Sequence, residues 1–249
     1  KPGHFVVVRY TEKGERIPLT IADSNAEKGT ITLICQGVGK STLAINSMKT
    51  GDQFLDIMGP LGAVCPIRQG GTVVCVAGGL GAAPLYPKAK ALREAGCRVI
   101  TVMGAQREEM LILRDEFKAI SDELYFSTDD GSFGHKGFVT GPLREILEKE
   151  KVDEVIAIGP VPMMANSVKV AKEFGVPTLV SLNAVMVDGT GMCGGCRVTI
   201  GGQTKFCCVD GPTFAGEEVD FSELMKRLSY YRQEEQEAMH RCRLEGVNA

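Results

Sequence analysis

"TVVCVAGGLGAAPLYPKAKALREAG" (residues 72–96) passes from a valine-rich run, through glycines 78, 79 and 81, into a stretch of helix-forming residues. An apolar run without alternation marks a strand buried on both faces, and such strands belong to parallel sheets covered by helices. Glycines at the carboxyl end of such a strand turn the chain sharply into the helix that follows.

Downstream the same rhythm repeats. "RVITVMG" (98–104) precedes "REEMLILRDEFKAI", and "ELYFST" (123–128) precedes a second glycine-rich loop. "GPLREILEKEK" leads to "DEVIAIG" (153–159), and "PMMANSVKVAKEFG" to "PTLVSL" (177–182). Five strands alternating with helices predict an α/β domain over residues 67–182. Upstream, "HFVVVRY" (4–10), "RIPLTIAD" (16–23), "GTITLICQ" (29–36) and "DQFLDIMG" (52–59) are short β-rich runs with turn-like breaks. They predict a small antiparallel β-barrel over residues 1–66. Because Lys1 already stands at the edge of an apolar run, a further strand is expected ahead of it. After Asn183 the rhythm gives way to a glycine-cysteine segment, 183–220. One helix is predicted from "DFSELMKRLSYYRQEEQEAMHRC" (220–242), within a last unit of 221–249.

With 249 residues, a net charge of −3 and 44% hydrophobic content, the chain is an ordinary globular one with no basic block for nucleic acid and no membrane span. Of its nine cysteines, Cys35, Cys65, Cys75 and Cys97 stand singly, which suits buried thiols in a reducing compartment. A cytoplasmic location is expected.

Four of the remaining five cysteines concentrate in "VMVDGTGMCGGCRVTIGGQTKFCCVDGP" (185–212). Asp188-x4-Cys193-x2-Cys196 reproduces the opening spacing of a plant-type [2Fe–2S] site, with an acid in the first ligand's place and Cys207 or Cys208 as the fourth. A carboxylate is a harder donor than a thiolate but can bind ferric iron. A Cys₃Asp zinc site, a thioredoxin-like C-x-x-C and plain buried thiols are the rivals. Zinc more often takes two paired ligand groups, and redox C-x-x-C opens a helix rather than a glycine coil. Adjacent cysteines in an extended segment point opposite ways, so spacing alone leaves 207 and 208 open.

Two glycine loops could meet phosphate. The turn at Gly78, Gly79 and Gly81 ends with Pro84 where the dinucleotide fingerprint has glycine, so position rather than motif recommends it. "ICQGVGKSTL" (34–43) has Ile34 where a nucleotide triphosphatase loop needs glycine, and the β-rich surroundings exclude that enzyme class. Asp129 and Asp130 follow a strand's carboxyl end, where α/β ligands bind, although a polar turn explains them equally.

A β-rich domain, an α/β domain with a glycine turn and a two-iron segment, in that order, resemble the ferredoxin reductase superfamily and within it the flavin/iron–sulfur electron-transfer subunits. The resemblance implies FAD on the barrel, with Arg16 at its phosphates and Pro18, Leu19 and Thr20 beside its ring. It implies a second flavin-phosphate turn at Gly39, Lys40, Ser41 and Thr42. For NAD(H) it implies Gly78, Gly79, Gly81 and Pro84, and an element at Gly159, Pro160, Met163 and Met164 in which Ile158 replaces the usual cysteine. Two branches compete. Electron-transfer subunits of dihydroorotate dehydrogenase carry four cysteines. The small subunits of NADH-dependent reduced ferredoxin:NADP oxidoreductase carry aspartate first, and "MVDGTGMCGGCRV" and "FCCVDGP" look like theirs. On that likeness the cluster ligands are Asp188, Cys193, Cys196 and Cys208. The implied partner is a larger flavin/[4Fe–4S] subunit, through which ferredoxin and NADP(H) are reached indirectly. A zinc-stabilised, non-redox binding module is the contrasting reading.

Overall fold

The computed structural model describes residues 1–12 and 14–244. The first unit contains β1 (Phe5–Arg9), β2 (Ile17–Asn25), β3 (Thr30–Leu33), α1 (Lys40–Asn46) and β4 (Asp56–Leu61). Its four strands form an antiparallel sheet in the order β3-β2-β1-β4. The expected barrel strands are all present, but "GTITLICQ" leaves the sheet after Leu33, and "DQFLDIMG" enters it only at Asp56. Alternation on β1 explains why it reads as continuously apolar. Val6 and Val8 pack with Leu19, Ile45 and Phe54, whereas Phe5 and Val7 face the opposite way into the main core.

The second unit runs β5 (Thr72–Gly78), α2 (Ala82–Glu94), β6 (Arg98–Ala105), α3 (Arg114–Ile120), β7 (Glu123–Thr128), β8 (His135–Lys136), α4 (Thr140–Lys149), β9 (Glu154–Ile158), α5 (Val161–Glu173) and β10 (Thr178–Ser181). Then come the hairpin β11 (Arg197–Ile200) and β12 (Gln203–Phe206), β13 (Thr213–Ala215), α6 (Phe221–Leu228) and α7 (Arg232–Leu244). The large sheet is ordered β13-β10-β9-β5-β6-β7-β8. All its pairings are parallel except that of β13 with β10. The five expected strands occupy its centre. Two short ones, β8 and β13, carry too little apolar sequence to announce themselves.

Helices cover both faces. Leu85, Ala89, Leu92 and Phe117 pack on one, and Leu143, Ile146, Met164, Val168 and Ala171 on the other. Val73, Val74, Cys75 and Val76 are therefore wholly buried, as a strand between two helical layers must be. From β5 the chain steps outward to β6, β7 and β8, then returns through α4 to β9 on the other side of β5. A crevice opens at the carboxyl ends of strands where the order switches in this way. The hairpin and β13 close the segment after β10 back onto the sheet.

The long C-terminal helix expected over 220–242 is two helices. Ser229 ends α6, its hydroxyl donating to the Lys226 carbonyl while its amide bonds within the last turn. Buried Leu224 anchors α6, and beyond Leu228 the chain finds no further core to follow. Among the described residues no helix is long and apolar enough to cross a membrane.

Candidate functional site

A cleft of about 1120 Å³ lies at the carboxyl ends of the β5, β6 and β9 strands, facing the antiparallel sheet. Its geometry begins with Gly81. A Cβ there would lie 2.1 Å from the Ile158 carbonyl oxygen, so the turn out of β5 can cross the end of β9 only as glycine. Gly79 takes a left-handed backbone with φ +51, and a Cβ on it would meet nothing within 4 Å. Its backbone thus lies bare at the entrance to α2, where amide groups and the helix dipole favour an anion.

Of the residues singled out in the sequence, Pro18, Leu19, Thr20, Gly78, Gly79, Gly81, Pro84, Asp129, Gly159, Pro160 and Met163 line the cleft. Met164 does not. It is wholly buried with Val161, Val168 and Ala171, because helical spacing turns it to the core and leaves Met163 toward the cleft. Arg16, Gly39, Lys40, Ser41, Thr42 and Asp130 also fall outside the lining. Thr42 spends its hydroxyl on the start of α1, accepting from the Val38 and Gly39 amides at 3.0 and 2.9 Å. The Ser41 hydroxyl donates to Glu15. Asp130 accepts from the Ser132 amide at 2.9 Å, and Ser132, through its hydroxyl first and then this amide, holds the carboxyl below the usual range. Arg16 is exposed, and its charge reaches Asp188 in the cysteine loop.

Sequence reasoning missed Gln36, Asn46, Gln106, Phe138, Asn166 and Asn183, which also line the cleft. They are isolated polar or aromatic residues from six separate stretches, gathered by topology alone. Among the described residues, Asp129 is the only charged side chain in the lining. Arg107 and Arg114, close by in sequence, pair instead with Glu109 at 3.5 Å and Glu108 at 2.9 Å.

The cysteine segment forms one wall. Asn183, Ala184, Met186 and Pro212 line the cleft, and the Gly211 carbonyl accepts from the Ala63 amide at 2.6 Å. A Cβ on Gly189 would lie 3.0 Å from Leu61 and 3.1 Å from Val7, so the loop is seated on β1 and β4. Cys196 and Cys208 are brought together, with sulfurs 3.2 Å apart and both thiols free. The Cys208 amide points at Cys196 Sγ at 3.4 Å. Cys193 is exposed, and its Sγ accepts from the Gly195 amide at 3.4 Å. That amide, then the Asp188 amide, hold the Cys193 thiol below its ordinary value. Burial pushes Cys208 up to about 12, helped by its bond with Cys196. Cys207 is buried and likewise pushed up to about 12. The carboxylate of Asp188 folds onto its own loop, accepting from the Thr190 amide and hydroxyl and the Met192 amide. Those bonds, Thr190 foremost, keep it well below the usual carboxylate range.

Among the described residues no three of His, Cys, Asp or Glu already stand around one point. The donor set nevertheless fits an iron–sulfur group: soft sulfurs, two of them paired, with backbone amides aimed at Cys193 and Cys196.

Residues 183–220 match the family described as the iron–sulfur cluster binding domain of dihydroorotate dehydrogenase B. A Thermotoga maritima homologue of the dihydroorotate dehydrogenase B (NAD(+)) electron transfer subunit is 54% identical over 94% of this chain and 83% of its own. A probable subunit of that kind from Methanocaldococcus jannaschii is 36% identical over 89% of this chain and 81% of its own. Among solved structures, the NADH-dependent reduced ferredoxin-NADP oxidoreductase matches with TM-score 0.91 and 52% identity over 97% of this chain and 87% of that one. An Amycolatopsis cytochrome P450 reductase, 22% identical with TM-score 0.59 over 70% of this chain and 57% of that one, shares the ferredoxin-reductase-like fold. The chain belongs to the family of dihydroorotate dehydrogenase B electron-transfer subunits and their homologues.

Proposed function

We propose that this electron-transfer subunit exchanges hydride with NAD(H) through FAD and passes single electrons, by way of a [2Fe–2S] cluster, to a larger flavin/[4Fe–4S] partner in a bifurcating ferredoxin:NADP oxidoreductase of the cytoplasm. One observation carries the reading: a single cleft has the Pro18–Thr20 edge, the Gly79 turn and the root of the cysteine segment as its walls. When bound, FAD supplies the conversion of hydride into single electrons, and the cluster carries them one at a time.

The chain's own residues do the holding. Pro18, Leu19 and Thr20 would flank the flavin, with Arg16 and Gly39, Lys40, Ser41 and Thr42 offered to its phosphates from outside the cleft. Gly78, Gly79 and Gly81 would receive the nucleotide's phosphates on backbone amides, with Pro84 bordering them in the first turn of α2, and Gly159, Pro160 and Met163 would border the nicotinamide. Asp129 favours NAD(H) over NADP(H), because a carboxylate accepts from a ribose 2′-hydroxyl and repels a 2′-phosphate. Asp188, Cys193, Cys196 and Cys208 would hold the cluster. Cys208 is favoured over Cys207 because its sulfur already meets Cys196. Identity is level between the branches, 52% to the ferredoxin-NADP oxidoreductase chain and 54% to the dihydroorotate dehydrogenase B homologue, so the acid in the first ligand place is what supports the former partner.

Anaerobic absorption spectra with iron and acid-labile sulfide assays test the reading. Flavin bands and about two irons and two sulfides per chain are expected. A colourless, zinc-loaded protein would identify a structural module instead. Co-expression with a candidate partner, assayed for NADH-linked reduction of ferredoxin against dihydroorotate oxidation, separates the two branches.

A further inference from the structure

Two arginines hold the Cys-x-x-Cys turn from outside. Nη2 of Arg227, on α6, donates to the Gly195 carbonyl at 3.0 Å, and Nη1 of Arg197, at the start of β11, donates to the Gly194 carbonyl at 3.3 Å. Gly194 and Gly195 are the two residues between Cys193 and Cys196, so each of their carbonyls carries a guanidinium. The peptide whose carbonyl Arg197 grips is the one whose N–H points at Cys193 Sγ. A cation on the carbonyl polarises that peptide and strengthens the amide's bond to sulfur. Gly195, whose carbonyl Arg227 grips, lies against the same sulfur: a Cβ on it would sit 3.5 Å from Cys193 Sγ.

Arg227 is not placed there by chance packing. Asp220 caps α6 by accepting from the Glu223 amide at 2.9 Å, and buried Leu224 anchors the helix beneath β11. Arg227 follows one turn later on the same face and is half-buried. Among the described residues neither Arg227 nor Arg197 is paired with a carboxylate, so their charge is offered to the turn undiminished.

Resting on the iron–sulfur reading above, we infer that Arg227, with Arg197 in support, is a positioning residue that raises the cluster's reduction potential from outside the ligand-bearing segment. One-electron reduction adds one negative charge to the cluster and its thiolates. A fixed cation one peptide away favours the reduced form, as does a stronger amide bond to sulfur. The half-buried Arg227 should count for more than the exposed Arg197, whose field water and salt screen.

The test is an anaerobic redox titration of the cofactor-loaded chain, followed by the cluster's EPR signal, with iron and sulfide counted on each variant. Arg227→Gln should lower the potential by the equivalent of a tenfold change in the one-electron equilibrium, about 59 mV. Arg227→Lys, which keeps the charge, should recover most of it, and Arg197→Gln should shift it by a smaller amount in the same direction. An Arg227→Gln variant with a full cluster and the wild-type potential would overturn the inference. So would Arg227→Lys falling as far as Arg227→Gln, since charge would then not be the cause. Should Arg227→Gln fail to assemble a cluster, Arg197→Gln decides, and an unchanged potential there sinks the proposal. A wild-type chain without iron and sulfide removes the functional reading and this inference together. A loaded wild type beside unshifted variants removes the inference alone.

Discussion

Cysteine enters this molecule in two opposed settings. Cys75 lies wholly buried in β5 between two helical layers, and burial, then the nearby Glu154 carboxylate, pushes its thiol far up. Cys193 stands exposed in a glycine coil where backbone amides pull its thiol down. A metal takes thiolates, so the second setting is prepared for one and the first is closed to it. Cys196 and Cys208 combine features of both, buried yet paired with each other. The number of cysteines matters less than the direction of the amides around them.

The division can be broken most directly at the proposed ligands. Cys193→Ala or Cys208→Ala should lose nearly all bound iron and sulfide, measured on anaerobically purified protein. Retention at the wild-type level in either would erase the distinction. Next in size, Cys75→Ser places a hydroxyl among apolar side chains and should cost about 2 kcal/mol of unfolding free energy. Iron content should not change, and chemical denaturation alongside an iron assay reads both. Cys207→Ala sharpens the comparison inside the segment. It should cost about 1 kcal/mol, since a small sulfur leaves a small void, and keep the cluster. Iron lost there but kept in Cys208→Ala would exchange the roles of the two neighbours. The smallest effect belongs to Asp188 in the cluster-free chain. Its folded pKa lies below the ordinary 3.8, so the loop's bonds to it are fully present above that value. They are lost as pH falls through the folded pKa. The Thr190 and Met192 amide signals in NMR should move together only in that acid range, and a transition above pH 5 would contradict the assignment.

What the sequence disclosed follows from which signals are local. Valine runs such as 73–76 and 99–102 disclose strands because both faces of each strand are buried. The Asp188, Cys193 and Cys196 spacing discloses the loop because one short segment carries it. Met163 and Met164 were indistinguishable as letters, and only the phase of α5 separates a cleft residue from a core one. Asn46, Asn166 and Asn183 carry no periodic signal, since the sheet order brings them to one cleft from distant positions. Lys88 misleads in the same way. A lysine in an amphipathic helix reads as solvated, yet it is fully buried, with Nζ donating to Thr213 Oγ1 at 2.8 Å. Arg227 lay in a helix that sequence ran on for another four turns, so its hold on the cysteine turn could not be foreseen.

The single carboxylate among the lining residues sets how the cleft should respond to electrolyte. A dinucleotide held by amide dipoles and apolar walls forms no ion pairs for counterions to compete with. The one fixed charge opposes the ligand's own, and added salt shields that repulsion. Affinity for the nicotinamide nucleotide should therefore change little with ionic strength, where a lysine-lined pocket would weaken steeply.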